Sequence, residues 1–195
     1  MNSLIQKIFL RAPKRMIPKG KVILSPAHGK VIRILQTRKL VKLRKGILGI
    51  VDILTNDIAS ECWVICIRLH VHNIHVQRAP ISGVITEVKY TKGSFHNAVR
   101  NAAQLKWLEN EKNEISIKSS EFGFSVKVVQ IAGALAKTIK GYVQKNEKVI
   151  KGQLIGHIAL GSQVTLIIPK RKNIELTVHE NDRVIDGESI LARIK

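Results

Sequence analysis

Aromatic side chains make up only 4% of this 195-residue chain, and Asp and Glu number 14 against 33 Lys and Arg. The first shortage removes the stacking platforms on which single-stranded nucleic acid is held, and no basic stretch is interleaved with aromatics. The second leaves little material for two-carboxylate hydrolysis. Cysteine is equally scarce. Cys62 and Cys66 lie four apart, do not easily bridge on one strand, and form no Cys-x-x-Cys metal pair, which suits a reducing compartment. No apolar run reaches the roughly 20 residues that cross a bilayer. The opening Met1–Ile17 lacks the apolar core and small-residue cleavage site of a secretory signal. No Gly-rich loop leads into a helix, and neither a Gly-x-Ser-x-Gly elbow nor a His-Glu-x-x-His pair occurs.

Basic charge is plentiful, and it is uneven. The net charge is +19, yet residues 162–195 carry 6 basic and 5 acidic side chains, leaving 27 and 9 for residues 1–161. A surface of that sign favours polyanions: nucleic acid, or a membrane face rich in anionic lipid. Leu4, Ile5, Ile8 and Phe9 recur at helical spacing beside Lys7 and Arg11, until Pro13 and Pro18 end any helix. Residues 1–19 therefore read as a basic amphipathic segment, lying on a membrane or packed on the core. Residues 20–195 read as a single domain.

After Gly20 short Ile- and Val-rich runs alternate with turn residues. They predict strands over 22–24, 30–35, 47–54, 63–69, 83–89, 115–118, 125–131, 154–158, 164–168 and 190–194. Helices are expected over Ala98–Leu108 and Ala132–Ile139. Two internal echoes stand out. Val143-x-x-Asn146-x-x-Val149-Ile150-x-Gly152-x-x-Ile155 returns 35 residues later as Val178-x-x-Asn181-x-x-Val184-Ile185-x-Gly187-x-x-Ile190. Pro26-x-x-Gly29-x-Val31 returns as Pro80-x-x-Gly83-x-Ile85. The expected class is mainly β with short helices (α+β): a compact sandwich or barrel-like domain with Gly-turn repeats, reminiscent of biotinyl and lipoyl hybrid barrels. Neither echo offers the exposed hairpin-tip Lys that such carriers need, since Lys148 has Arg183 as its counterpart.

Five histidines, His28, His70, His72, His75 and His96, fall in the first half of the chain, three of them within six residues. No Cys or carboxylate accompanies them at ligand spacing, so no metal is expected. Chemistry of another kind is available at Leu160-Gly161-Ser162-Gln163-Val164. A serine hydroxyl can attack the carbonyl before it, and a preceding glycine leaves that carbonyl open. The resulting ester can eliminate across the serine Cα–Cβ bond, cutting the chain and leaving a dehydro residue that hydrolyses to a pyruvoyl group. The hydroxyl needs a base, and a histidine is the natural one.

Several segments, in order, resemble the short form of the phosphatidylserine decarboxylase family, phosphatidyl- or archaetidylserine-directed. Ser25-Pro26-Ala27-His28-Gly29-Lys30-Val31 is similar to the family's Ser-Pro-Ala-Asp-Gly-Lys-Val. Asn73-Ile74-His75-Val76-Gln77-Arg78-Ala79-Pro80-Ile81-Ser82-Gly83 is similar to its Asn-Val-His-Val-Asn-Arg-Ala-Pro-x-x-Gly. Gly93-Ser94-Phe95-His96-Asn97-Ala98, Asn110-Glu111-Lys112-Asn113, Val129-Gln130-Ile131-Ala132-Gly133 with Ala136, and the Gly161-Ser162 site complete the series. Phe9-Leu10-Arg11-Ala12-Pro13-Lys14-Arg15 is similar to Phe-Phe-Arg-Asn-Pro-x-Arg, so the resemblance spans residues 9–195.

The resemblance implies a proenzyme that cuts itself between Gly161 and Ser162 into chains 1–161 and 162–195, which stay associated. Ser162 becomes an N-terminal pyruvoyl. That ketone forms a Schiff base with a serine phospholipid, carbon dioxide leaves, and the ethanolamine lipid is released without metal or pyridoxal phosphate. His75 is the implied proton donor; Arg78 and Asn97 are implied substrate-binding residues. His28 replaces the family Asp that orients the catalytic base, so His28 itself is the candidate base for Ser162, with Asp52 and Asp57 as alternative carboxylates. The membrane-spanning segment of many relatives is absent, so a peripheral location on the cytoplasmic membrane face is expected, on residues 2–15 and the basic face, with no nucleic acid as partner. Edge-strand pairing leaves room for a homodimer. Two other readings fit the charge and His28: a catalytically impaired lipid-binding relative, and a basic nucleic-acid-binding β protein.

Overall fold

The computed structural model describes residues 11–38, 54–70, 72–93, 110–133, 139–158 and 162–195. In chain order the strands are β1 (Val22–Leu24), β2 (Gly29–Arg38), β3 (Glu61–Arg68), β4 (Val76–Arg78), β5 (Gly83–Thr91), β6 (Lys112–Ser119) and β7 (Phe124–Ile131). There follow β8 (Ile139–Gly141), β9 (Lys148–Val149), β10 (Leu154–Ile158), β11 (Gln163–Pro169), β12 (Ile174–Leu176), β13 (Arg183–Val184) and β14 (Ile190–Ile194).

An eight-stranded antiparallel sheet runs β13-β2-β3-β11-β7-β6-β5-β9, curled into a half-barrel, with three-stranded sheets β1-β14-β12 and β4-β10-β8 beside it. Strand alternation divides its residues between two apolar clusters. Ile65, Ile67, Val126, Val128, Val164 and Leu166 face the main core, which also takes Ile23, Ile81 and Ile155. Cys62, Val64, Cys66, Val129, Ile131 and Ile167 face a second cluster with Leu54.

The two sequence echoes turn out to be parts of one duplicated architecture. Read outward from its centre, the large sheet gives β11-β3-β2-β13 one way and β7-β6-β5-β9 the other. At the centre Leu166 pairs with its counterpart Val128. Val184 pairs with Gly29 in one half as Val149 pairs with Gly83 in the other. Asn181 N donates to Val31 O, and Asn146 N to Ile85 O, both at 2.8 Å. Asn146 and Asn181 both adopt left-handed backbone, at φ 71° and 81°. The halves are nested: β4–β10 form one continuous half, inserted between β3 and β11 of the other.

Strands were expected at most of these places, and a mainly β domain is what folds. The expected strand 47–54 falls outside the described residues except Leu54, which begins a helical turn with Thr55. The helix expected over Ala98–Leu108 lies outside them. Of the helix expected over Ala132–Ile139, residues 134–138 also lie outside, while Ala132 and Gly133 are not helical and Ile139 opens β8. The unforeseen strands β4, β8, β9, β12 and β13 have only two or three residues each, too few to show an alternation.

Gly29 and Gly83 are equivalent and forced. A Cβ on Gly29 would lie 2.2 Å from Arg68 O, and one on Gly83 2.3 Å from Lys118 O. Backbone cannot yield as a side-chain tip can. Gly29→Ala is expected to cost about 3 kcal/mol or more in chemical denaturation. Gly123→Ala meets no atom within 4 Å but sits at φ +67°, and should cost about 1 kcal/mol. Equal losses would contradict the close approach.

Candidate active site

Nesting one half inside the other forces the chain to cross between them twice, once between β3 and β4 and once between β10 and β11. The described ends of the two crossings lie side by side. Leu69 N donates to Ser162 O at 3.0 Å, and Ile158 N donates to His75 O at 3.1 Å. Hydrogen bonding of β3 to β11 continues past its last strand pair, Arg68 with Gln163, to reach Ser162.

Ser162 is 1% exposed, and its hydroxyl is buried with no hydrogen-bond partner among the described residues. Such a group costs about 1–3 kcal/mol where bonding would have been free, so it calls for an explanation. His75 is fully buried. Its Nδ1–H donates to Asn73 O at 2.8 Å, which fixes the tautomer and leaves the basic lone pair on Nε2. Burial lowers its pKa, and His28 and His157 lower it further, while the Asn73 bond opposes them. His28 is half-buried, with Nδ1 covered and unpartnered among the described residues. Burial lowers its pKa; Asp186 pulls it up, and Arg15 and Arg11 push it down. Neutral imidazoles at neutral pH are what a proton-accepting site needs.

His28 also lines a cavity of about 420 Å³ with Gly29, Lys30, His70, His72, Asn73 and Arg183. Among the described residues no three His, Cys, Asp or Glu are grouped as metal ligands.

Arg78 is engaged within the fold. Its Nε donates to Asp186 Oδ2, Nη1 to Gly152 O and Nη2 to Pro13 O, each at 2.8 Å. Asp186 is fully buried and takes Arg15 Nη2 on its other oxygen at 2.5 Å. Removing one member of such a cluster leaves buried charge uncompensated.

The sequence profile of phosphatidylserine decarboxylases matches residues 6–192. The chain belongs to the phosphatidylserine decarboxylase family. It is 35% identical over 184 residues to the phosphatidylserine decarboxylase proenzyme of Syntrophus aciditrophicus, covering 94% of this chain and 76% of that one. Two archaeal proteins described as candidate archaetidylserine decarboxylase proenzymes are equally similar. That of Methanosarcina mazei is 36% identical over 192 residues, covering 98% of this chain and 76% of its own. That of Methanocaldococcus jannaschii is 37% identical over 188 residues, covering 94% and 87%.

The family segments that are scattered along the sequence meet around His75. Arg78 N donates to Pro26 O at 2.9 Å, joining the Ser-Pro-Ala-His-Gly segment to the His75 segment. Behind His75 runs a chain of buried amides: Asn113 Nδ2 to Gln130 Oε1 at 2.8 Å, Gln130 Nε2 to Gln77 Oε1 at 2.7 Å, and Gln77 Nε2 to His75 O at 2.9 Å. Each amide donates to the next, so the chain has one direction and ends on the His75 backbone. Asn110 Nδ2 to Ala132 O, at 2.8 Å, ties the same two segments again. Sequence reasoning missed Asp186 and the amide chain, because, apart from Gln77 with His75, their partners are 17 or more residues away; only the family segments pointed to Asn113 and Gln130.

Gly161 and Asn97 lie outside the described residues, as does Asp52. Asp57 bonds Lys127 Nζ at 2.7 Å and Ser116 Oγ at 3.3 Å. Lys127 is four residues, about 13 Å of strand, from the Gln163–Ile131 rung beside Ser162. Asp57 is engaged by Lys127 and Ser116.

His28, His75 and His157 all have pKa values lowered from 6.5, chiefly by burial. Below about 6.5 the unfolded chain takes up protons that the native state refuses. Folding stability should therefore be full above that pH and decline as the pH falls from 7 towards 5. Denaturation midpoints across this range measure it, and His75→Gln should flatten part of the slope. A wild-type midpoint independent of pH would contradict the buried neutral imidazoles.

Proposed function

We propose that the chain is a self-processing decarboxylase of serine phospholipids, cut between Gly161 and Ser162. The supporting observation is the buried Ser162 hydroxyl, without a hydrogen-bond partner among the described residues, at the meeting of the two crossings. In this reading His28 takes the hydroxyl proton. Oγ then attacks the Gly161 carbonyl carbon, the Gly161–Ser162 C–N bond breaks as His28 returns the proton to the departing Ser162 nitrogen, and an ester forms. Loss of the Ser162 α-proton breaks the Cβ–O bond, leaving a carboxylate on Gly161 and a dehydro residue at 162. Water converts the latter to a ketone and releases ammonia. A neutral His28 suits the first step, since an imidazolium takes no proton.

The pyruvoyl group thus made at position 162 supplies the electron sink for loss of carbon dioxide. His75, held by Asn73 and backed by the amide chain, takes up a proton from water on Nε2 and delivers it to the carbon that loses carbon dioxide. Burial makes the protonated ring a stronger acid than an exposed one, which favours that transfer. Arg78 fits a supporting role better than a substrate contact, because all its nitrogens are already engaged. Asn97 remains a proposed substrate contact from the family segment alone. Names of relatives span diacyl and archaeal lipids, so the common substrate feature is the serine phosphodiester headgroup.

After the cut, residues 162–195 would stay in place. β11 lies between β3 and β7, β14 between β1 and β12, and β13 pairs with β2. Asp186, on the small chain, holds Arg15 and Arg78 of the large one. Among the described residues no helix is long and apolar enough to cross a membrane. We assign lipid contact to the 11–21 stretch. There Met16, 85% exposed, stands among exposed Arg11, Lys14, Lys19 and Lys21, each worth about 1 kcal/mol at an anionic surface.

Intact-mass analysis tests the cut. Wild-type protein should resolve into two chains, the smaller being residues 162–195, and Ser162→Ala should stay whole. His28→Gln should slow cutting about 100-fold or more. Cutting that persists in Ser162→Ala would remove the proposed site.

A further inference from the structure

One rung of the large sheet carries three cations abreast. Arg183 on β13 pairs with Lys30 on β2, and Lys30 pairs with Arg68 on β3. Directly opposed residues of antiparallel strands share a face, with Cβ atoms about 5 Å apart, and like charges so placed destabilise the sheet. No salt bridge among the described residues involves any of the three. Arg68 Nη2 instead lies 3.0 Å from His70 Nε2, and its Nε is buried without a partner among the described residues.

The duplicated half supplies an internal comparison. Its equivalent rung is Lys148, Val84 and Lys118, with an apolar residue at the centre. The architecture therefore does not require a cation there; Lys30 is a departure specific to the half that carries Ser162. Lys30 and Arg183 line the 420 Å³ cavity together with His28, His70, His72 and Asn73, and no carboxylate lines it. Nearby acids are occupied: Asp186 by Arg15 and Arg78, Glu180 by Ile34 N, and Asp182 by His179 N. A cation would be repelled. A compact anion would relieve the repulsion and find donors on several sides. The volume suits a headgroup rather than a bare ion. Arg68 and its partner Gln163 are the chain neighbours of Leu69 and Ser162.

We infer that this cavity is a phosphodiester-binding site: Lys30 and Arg183 hold the phosphate of the lipid headgroup, with Arg68 and His70 behind them, beside the reacting residue. The inference rests on the serine-phospholipid reading above for its ligand, but its binding test does not require the chain to cut itself.

Calorimetry on the full-length protein, wild type and Ser162→Ala, would use glycerophosphoserine and inorganic phosphate as probes. Glycerophosphoserine should bind both forms, and inorganic phosphate should compete more weakly. The double variant Lys30→Gln/Arg183→Gln should weaken glycerophosphoserine binding at least tenfold while raising the melting temperature of the ligand-free protein. Lys118→Gln/Lys148→Gln, in the equivalent rung, should leave affinity unchanged. Three results would overturn the site: no binding of glycerophosphoserine, undiminished binding by Lys30→Gln/Arg183→Gln, or tighter binding of inorganic phosphate, which would mark a free-phosphate site. A protein that binds the headgroup yet never cuts would count against the decarboxylase reading alone. One that cuts yet does not bind it would count against this cavity alone.

Discussion

The hydrogen bond from Leu69 N to Ser162 O is a small interaction on which the site depends. It exists because one half of a duplicated β structure is inserted into the other. An inserted half has two ends, and both must return to the same place in the host sheet. The chain therefore crosses twice at one location, and what lies on those crossings is brought together by topology: Leu69, His70, His72, Asn73 and His75 on the first, Ser162 on the second. Ser162 is buried there, and its hydroxyl has no hydrogen-bond partner among the described residues, although buried polar groups are ordinarily paired.

Around this point the polar interior is arranged as support. The directed amide chain Asn113–Gln130–Gln77 holds the His75 backbone, and Asn73 holds its ring. Asp186 with Arg15 and Arg78 joins the 11–19 stretch, the His75 segment and the C-terminal region. Breaking the covalent link before Ser162 would leave each of these contacts intact. Scission at the crossing is thus compatible with a single folded body, in which the small chain contributes a central strand.

Much of this was legible in the residues, though not its meaning. The echoes at Asn146/Asn181 and Gly29/Gly83 are visible because left-handed backbone and close strand approach restrict residue choice. Nesting was not visible, because sequence spacing does not say which strand neighbours which. Short strands such as β9 and β13 left no periodic trace, although they cap both ends of the large sheet. The family segments pointed to His75, Ser162 and Arg78, but not to the Asp186 that engages the Arg78 guanidinium, which is 108 residues away and carries no local signal. His28 in place of an Asp reads from sequence as a loss. In the fold it borders a cavity with Lys30, Arg183, His70 and His72, where a carboxylate would add the charge that an anion site avoids.

The proposed activity depends on conversion of one residue at the second crossing. Borohydride reduction of the purified protein, followed by peptide mass spectrometry, reads that residue directly. The expected product is a small chain beginning at position 162 with a reduced ketone, a lactyl group, in place of serine. Recovery of an unmodified Ser162, still joined to Gly161 in protein that releases carbon dioxide from a serine phospholipid, would contradict it.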